Sequence, residues 1–209
     1  MHVLDRQIVE HLLSKLSLDA KNILDFGCGT GRYWPLLEAA STAQIVGCDA
    51  SASMLAELRK KHPHAEVCQV GSEKIPFLKN HSIDFILSTL TIGHIPNPGL
   101  YFEEWDRVLK PNGYLLITGN HPQALKQGIK RSFSVDGRSY TITNVIHEIE
   151  EILTLAGTLG WKKIDLEEQC ITEDHHPYFR EAGAEGSYRR MIGKPVVYGL
   201  LMQKPDPCS

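Results

Sequence analysis

Residues 23–33 read Ile-Leu-Asp-Phe-Gly-Cys-Gly-Thr-Gly-Arg-Tyr, and no other stretch restricts the fold of this chain so tightly. The run 22–26 has the apolar character of a buried strand. Three glycines at alternate positions follow it, Gly27, Gly29 and Gly31, and a helical pattern opens at Arg32. Glycines are needed where a backbone turns sharply or a ligand must touch the main chain. A strand that ends in such a turn and opens a helix puts a ligand at the carboxyl edge of a parallel sheet. The spacing is G-x-G-x-G, not the G-x-G-x-x-G of dinucleotide sites. Asp25 lies two positions before the first glycine. A carboxylate there repels a pyrophosphate and favours a cationic group such as an amino-acid ammonium. Both features argue against an oxidoreductase that binds a nicotinamide cofactor.

Further along, short apolar strands alternate with helices. Strands are predicted at 22–26, 44–48, 66–70, 83–88 and 114–118, a sixth at 163–167 and a last at 195–203. Helices are predicted at 4–16, 32–40, 51–61, 99–109 and 144–157, with Ser51 or Ser53 capping the third of them. Glu103 and Glu104 are expected on the solvent face of helix 99–109. Pro111-Asn112-Gly113 reads as a turn. Alternation of this kind implies an α/β fold, a Rossmann-like doubly wound seven-stranded sheet, mostly parallel, with an antiparallel last strand. The whole chain, 1–209, reads as one domain. The segments 119–143 and 171–194 show no clear period and are candidates for a cap over the carboxyl edge, since irregular stretches of such length are commonly functional.

With 209 residues and 42% hydrophobic composition, the chain can bury a sizeable core. Its net charge of -3 provides no broad basic field, so no nucleic-acid partner is expected. The five cysteines, Cys28, Cys48, Cys68, Cys170 and Cys208, include no C-x-x-C pair. They read as reduced thiols of a cytoplasmic protein without a structural metal. No signal-peptide core and no long apolar span is apparent, so no membrane association is expected. A monomer or a homodimer is expected.

The run Asp25-Phe26-Gly27-Cys28-Gly29-Thr30-Gly31 resembles the first motif of class I S-adenosylmethionine-dependent methyltransferases, in particular small-molecule, type 11-like enzymes. Four further elements follow in order. Val46-Gly47-Cys48-Asp49 resembles the acid at the second strand end, and Val70-Gly71-Ser72-Glu73-Lys74-Ile75-Pro76-Phe77 the third motif. Ile83 to Leu90 with His94-Ile95-Pro96 resembles the fourth, and Arg107 to Ile117 the helix and strand after it. The likeness is strong over 22–118. It implies S-adenosyl-L-methionine as cofactor, bound by Asp25, Gly27, Cys28, Gly29, Asp49, Ala50, Met54, Ser72, Glu73, Thr89, Leu90 and His94. Asp49 would accept the ribose hydroxyls on its two oxygens, and Ser72 and Glu73 would meet the adenine edge. The third motif is one residue shorter than the common form, with Ser72 in place of an acid. The family often carries a tyrosine over the cofactor from an N-terminal segment, and here no tyrosine precedes Tyr33.

Transfer from an activated sulfonium asks mainly for alignment and exclusion of water. An oxygen nucleophile usually also needs a base. His121, just after the fifth strand, is the candidate for that base, while His94 is expected to pack beside the cofactor and His175-His176 to lie in a lid or on the surface. No N-P-P-Y or D-P-P-Y follows the fourth strand, which disfavours base-flipping methylation of DNA. No acidic ligand ends that strand, which disfavours a magnesium-dependent catechol-type site. The aromatic-bearing loops suggest a small, partly apolar acceptor whose methyl-accepting atom is O or N. A non-catalytic binding or scaffold subunit of the same fold is the alternative.

Overall fold

A computed structural model describes residues 2–40, 42–128, 131–135, 138–142 and 144–206. Its strands are β1 (Asn22–Phe26), β2 (Gln44–Asp49), β3 (Glu66–Gln69), β4 (Ile83–Thr89), β5 (Leu109–Asn120), β6 (Arg131–Val135), β7 (Arg138–Ile142), β8 (Lys162–Cys170) and β9 (Pro195–Gln203). The helices are α1 (His2–Leu13), α2 (Trp34–Ala39), α3 (Ala52–Lys61), α4 (Pro98–Val108), α5 (Pro122–Lys126), α6 (Ile149–Thr158), α7 (His176–Glu181) and α8 (Glu185–Met191). Seven strands make one sheet in the order β3-β2-β1-β4-β5-β9-β8. The first five run parallel, and β9 is antiparallel to both of its neighbours. Strands β6 and β7 pair separately as an antiparallel hairpin. The doubly wound sheet with an antiparallel last strand is thus the one expected from the sequence.

In β1 four consecutive residues are buried rather than every second one, because helices cover both faces. On one face α4 and α6 deliver Phe102, Trp105, Val108, Ile149 and Ile152 onto β1, β4 and β5. Phe26 meets Trp105 and Tyr101 edge-on, with centroids 5.4 and 5.6 Å away. On the other face α1 buries Leu4, Ile8, Val9 and Leu12. Each such side chain contributes about 1.5–3 kcal/mol when fully removed from water. Gly199 in β9 permits the close approach of α1, since a Cβ there would collide with Ile8.

Several expectations need correction. Strand β5 starts at Leu109, directly after α4, and includes Pro111-Asn112-Gly113. Its register against β4 jumps from Leu109 to Tyr114, so the turn signal produces a bulge within a strand, with Asn112 at φ 61°. Helix α6 begins at Ile149, five residues later than the periodicity suggests, where the Glu151 carboxylate accepts from the Glu148 amide. The segment 171–194 is not irregular: it holds a 3-10 turn, α7 and α8. Much of the segment 119–143 lies outside the residues whose side chains are described. Glu104 is buried, not solvent-facing, at 2% exposure. It accepts from the Ile75 amide at 2.7 Å and from Arg107 at 2.6 Å, and this pairing holds its carboxyl below the usual glutamate range. Arg107 also donates to the carbonyls of Ile75 and Leu78, so the pair fastens the 70–80 loop to α4.

Candidate active site

The carboxyl ends of β1, β2 and β4 open into a cleft of about 580 Å³. Gly27 and Gly29 line its floor, and they and Gly31 all have positive φ, at 73°, 53° and 76°. L side chains avoid that region. At Gly27 the space is closed as well, because a Cβ would collide with the Thr91 side chain. The Gly27 and Cys28 amides both donate to the Cys48 carbonyl, which ties the loop to β2. Asp49, at the end of β2, accepts from the Gly29 amide on one oxygen and the Ser51 amide on the other, both at 2.8 Å. Each carboxylate oxygen keeps a second lone pair for a ligand hydroxyl. Ser51 caps α3 by accepting from the Met54 amide.

Asp25 sits beneath the glycine loop at 2% exposure. One oxygen accepts from the indole N–H of Trp34 at 3.0 Å. Burial raises its carboxyl to about 7, against the lowering effect of that hydrogen bond; Asp49 raises it further and Arg32 lowers it. The floor of the cleft is therefore a desolvated acid whose ionised form a further cationic group would favour. Burial likewise pushes up the Cys28 and Cys48 thiols, so neither is a nucleophile near neutral pH.

Of the residues singled out from sequence, Asp25, Gly27, Cys28, Gly29, Asp49, Ala50, Met54, Ser72, Thr89, Leu90 and His94 all line this cleft. Glu73 does not; burial raises the Tyr101 phenol, and the nearby Glu73 carboxylate adds to it. His121 is also outside the lining. It caps α5, with Nδ1 accepting from the Gln123 amide at 3.2 Å and Nε2 bonded to Glu168 at 2.6 Å. Both ring nitrogens are thus engaged, and the ring stands edge-on to Tyr198.

Sequence reasoning missed a wall of the cleft. Arg32, Tyr33, Thr91 and Tyr101 line it too. The Tyr33 hydroxyl donates to Asp5 of α1 at 2.6 Å, and Thr118 donates to the same carboxylate at 2.5 Å. Asp5 has no exposure. Thr118 in turn accepts from the Leu90 amide at 3.1 Å, fixing Leu90 at φ 53° on the cleft wall. The signal was present: Asp5 stands beside Leu4 on the apolar stripe of α1, where an acid requires partners.

Among the described residues, no group of three or more His, Cys, Asp or Glu could hold a metal ion, and no helix is long and apolar enough to cross a membrane.

The fold and cleft define a Rossmann-like α/β protein with a cation-favouring site at its carboxyl edge. Residues 24–117 match the family described as "Methyltransferase domain". A relative is the biotin biosynthesis bifunctional protein BioHC of Cellvibrio japonicus, 35% identical over 133 residues, 62% of this chain and 26% of that protein. Another is the malonyl-[acyl-carrier protein] O-methyltransferase of Laribacter hongkongensis, 27% identical, covering 92% of this chain and 70% of the relative. The chain spans between a quarter and a half of the length of the first three curated relatives it matches. Among solved structures, an S-adenosylmethionine-dependent methyltransferase from Mesorhizobium loti superposes with TM-score 0.71 at 18% identity, over 93% of this chain and 96% of that one. A second from Aquifex aeolicus gives TM-score 0.64 at 20% identity, over 93% and 88%. Residues 24–117 thus match the methyltransferase-domain family, and the fold is the one seen in solved S-adenosylmethionine-dependent methyltransferases. S-adenosylmethionine is the cofactor of that family, and the residues here fit its chemistry. A buried acid lies beneath the glycine loop, Asp49 retains acceptor capacity on both oxygens, and the loop admits close main-chain contact.

Proposed function

We propose that this chain transfers a methyl group from S-adenosylmethionine to an O or N atom of a small, partly apolar acceptor. The observation that carries the reading is Asp25, a buried carboxyl at the base of a glycine-floored cleft on the carboxyl edge of the sheet, where a cationic ligand group would favour its ionised form. In this reading Asp25 takes the ammonium, and the Gly27 and Gly29 backbone contacts the methionine portion. Asp49 takes the ribose hydroxyls, with Ala50 and Met54 flanking them. Ser72 lies toward the adenine edge, with Glu73 a step further out. Thr89, Leu90 and His94 face the methyl-bearing end. The cofactor, when bound, supplies a methyl already activated on a sulfonium. The protein's part is then to align the acceptor, exclude water and desolvate the pair. His121 donates from Nε2 to Glu168 and accepts the Gln123 amide on Nδ1, so a base role for it requires the α5 cap bond at Nδ1 to open. The segments 119–143 and 171–194 serve in this reading as the acceptor-side cap. The malonyl-[acyl-carrier protein] O-methyltransferases among the relatives favour oxygen over nitrogen.

Thermal unfolding with S-adenosylmethionine, S-adenosylhomocysteine and NADH in parallel tests the reading. A ligand at 100 times its dissociation constant adds about 2.7 kcal/mol. Stabilisation by the two sulfur compounds and not NADH is expected, followed by methyl incorporation in an acceptor screen. No shift with either sulfur compound overturns the reading, and binding without turnover on any acceptor favours the scaffold alternative.

A further inference from the structure

A second cavity of about 480 Å³ lies apart from the cofactor cleft and shares no lining residue with it. Its apolar floor is Leu4 of α1, Ile171 just after β8, Phe179 of α7 and Met191 of α8. Strand β8 is parallel to β5, because each is antiparallel to the strand between them, β9. The pocket therefore opens at the same edge of the sheet as the cofactor cleft. Val3 and Tyr178, also in its lining, are 54% and 63% exposed. Large apolar side chains left in water beside an apolar hollow imply a ligand that covers them.

The charge of the lining selects the ligand. Among the described residues, the ionisable lining groups are His2, His175, Arg190 and the Tyr178 phenol, with no Asp or Glu. Arg190 donates to the Ser187 hydroxyl at 3.2 Å and makes no salt bridge among the described residues. His175 accepts from the Thr172 amide on Nδ1, which leaves its proton on Nε2 as a donor. Such a pocket suits an amphiphile with an anionic head and disfavours a cationic one. This is the opposite preference to that of the acid-floored cleft.

We propose that this cavity is a binding site for an amphiphilic carboxylate, its aliphatic or aryl body on Leu4, Ile171, Phe179 and Met191 and its head on Arg190. The site is separate from the cofactor cleft but one residue removed from it through α1, since Leu4 lines the pocket and Asp5 bonds the cleft residue Tyr33. The proposal does not depend on methyl transfer.

Calorimetric titration of the full chain at pH 8 with octanoate, octan-1-ol and octyltrimethylammonium tests it. Saturable octanoate binding is expected, with octanol at least tenfold weaker and the ammonium weaker still. Arg190→Gln, an exposed substitution, should bring octanoate down to the level of octanol. Ala184→Trp should fill the cavity and remove binding of both, with thermal melts showing both variants folded. No octanoate binding to the unaltered protein overturns the proposal. So does equal affinity for octanol, octanoate binding unchanged by Arg190→Gln, or competition between octanoate and S-adenosylhomocysteine for one site.

Discussion

Between pH 6 and 7.5 the affinity for S-adenosylhomocysteine should rise about eightfold, and Asp25 is the reason. Its carboxyl titrates at about 7 in the unliganded protein, chiefly through burial. A ligand ammonium binds the ionised form, so the proton must leave first. For one group at that position, about a tenth is ionised at pH 6 and about three quarters at pH 7.5, which sets the ratio. The same shift carries a stability consequence of defined sign. Between the ordinary aspartate value of 3.8 and about 7, the folded protein holds a proton that the unfolded chain has released. Stability of the unliganded fold therefore falls as pH rises through that window and levels off above it. The interval from 3.8 to about 7 corresponds to roughly 4 kcal/mol. Asp25→Asn keeps an acceptor for the Trp34 indole and has no ionisation. It should raise the melting temperature of the unliganded protein at pH 8, flatten both pH profiles and weaken ligand binding. Calorimetric titrations and melts across pH 5–8 on both proteins give the answer. A flat affinity profile in the unaltered protein, or a slope that survives in Asp25→Asn, would refute the reasoning.

Other perturbations reach the remaining parts of the site. Asp49→Ala removes the acceptor for the Gly29 and Ser51 amides as well as for ligand hydroxyls, and should cost about 2–3 kcal/mol of cofactor affinity in calorimetry. Gly27→Ala meets both a positive φ and the Thr91 side chain, so a loss of at least about 1–2 kcal/mol in denaturant melts is expected, together with weakened ligand binding. Tyr33→Phe takes a donor from the buried Asp5 and should destabilise by about 1.5–3 kcal/mol, measured by the urea midpoint. His121→Ala should cost about 1 kcal/mol through the lost α5 cap and leave cofactor affinity unchanged; a fall in turnover at full occupancy of folded enzyme would return His121 to the reaction.

The strand–glycine–helix unit was legible because it is local. Asn22 to Arg32 carry their own backbone requirements, and the acid ending β2 follows from the same short-range pattern. Residues whose roles depend on distant partners were not legible in this way. Asp5 meets Thr118 across 113 positions, and His121 meets Glu168 across 47, so neither pairing leaves a periodic trace. Glu104 looked like an exposed helix acid because its partner is a backbone amide, Ile75, 29 residues earlier. Helices α7 and α8 escaped notice for another reason. They have six and seven residues, too short for an apolar period to emerge. They are held in part by side-chain pairing, with His176 stacked on Tyr188 at 4.4 Å and bonded to Glu185 at 2.8 Å. Pro111-Asn112-Gly113 misled because turn chemistry serves a bulge as well as it serves a loop.

The position of β9 also has a consequence for how the molecule is made. Residues 195–203 lie between β5 and β8, and α1, at the opposite end of the sequence, rests on them where Gly199 faces Ile8. During synthesis the ribosome releases α1 long before the strand that receives it, and β5 waits as an open edge until β9 is translated. A nascent chain that has not yet reached β9 thus exposes both the apolar stripe of α1 and one open edge of β5. Completion of the sheet is a late, single event that joins first helix to last strand. Exposure of that edge is therefore expected to last until β9 joins the sheet, long after the glycine loop has formed.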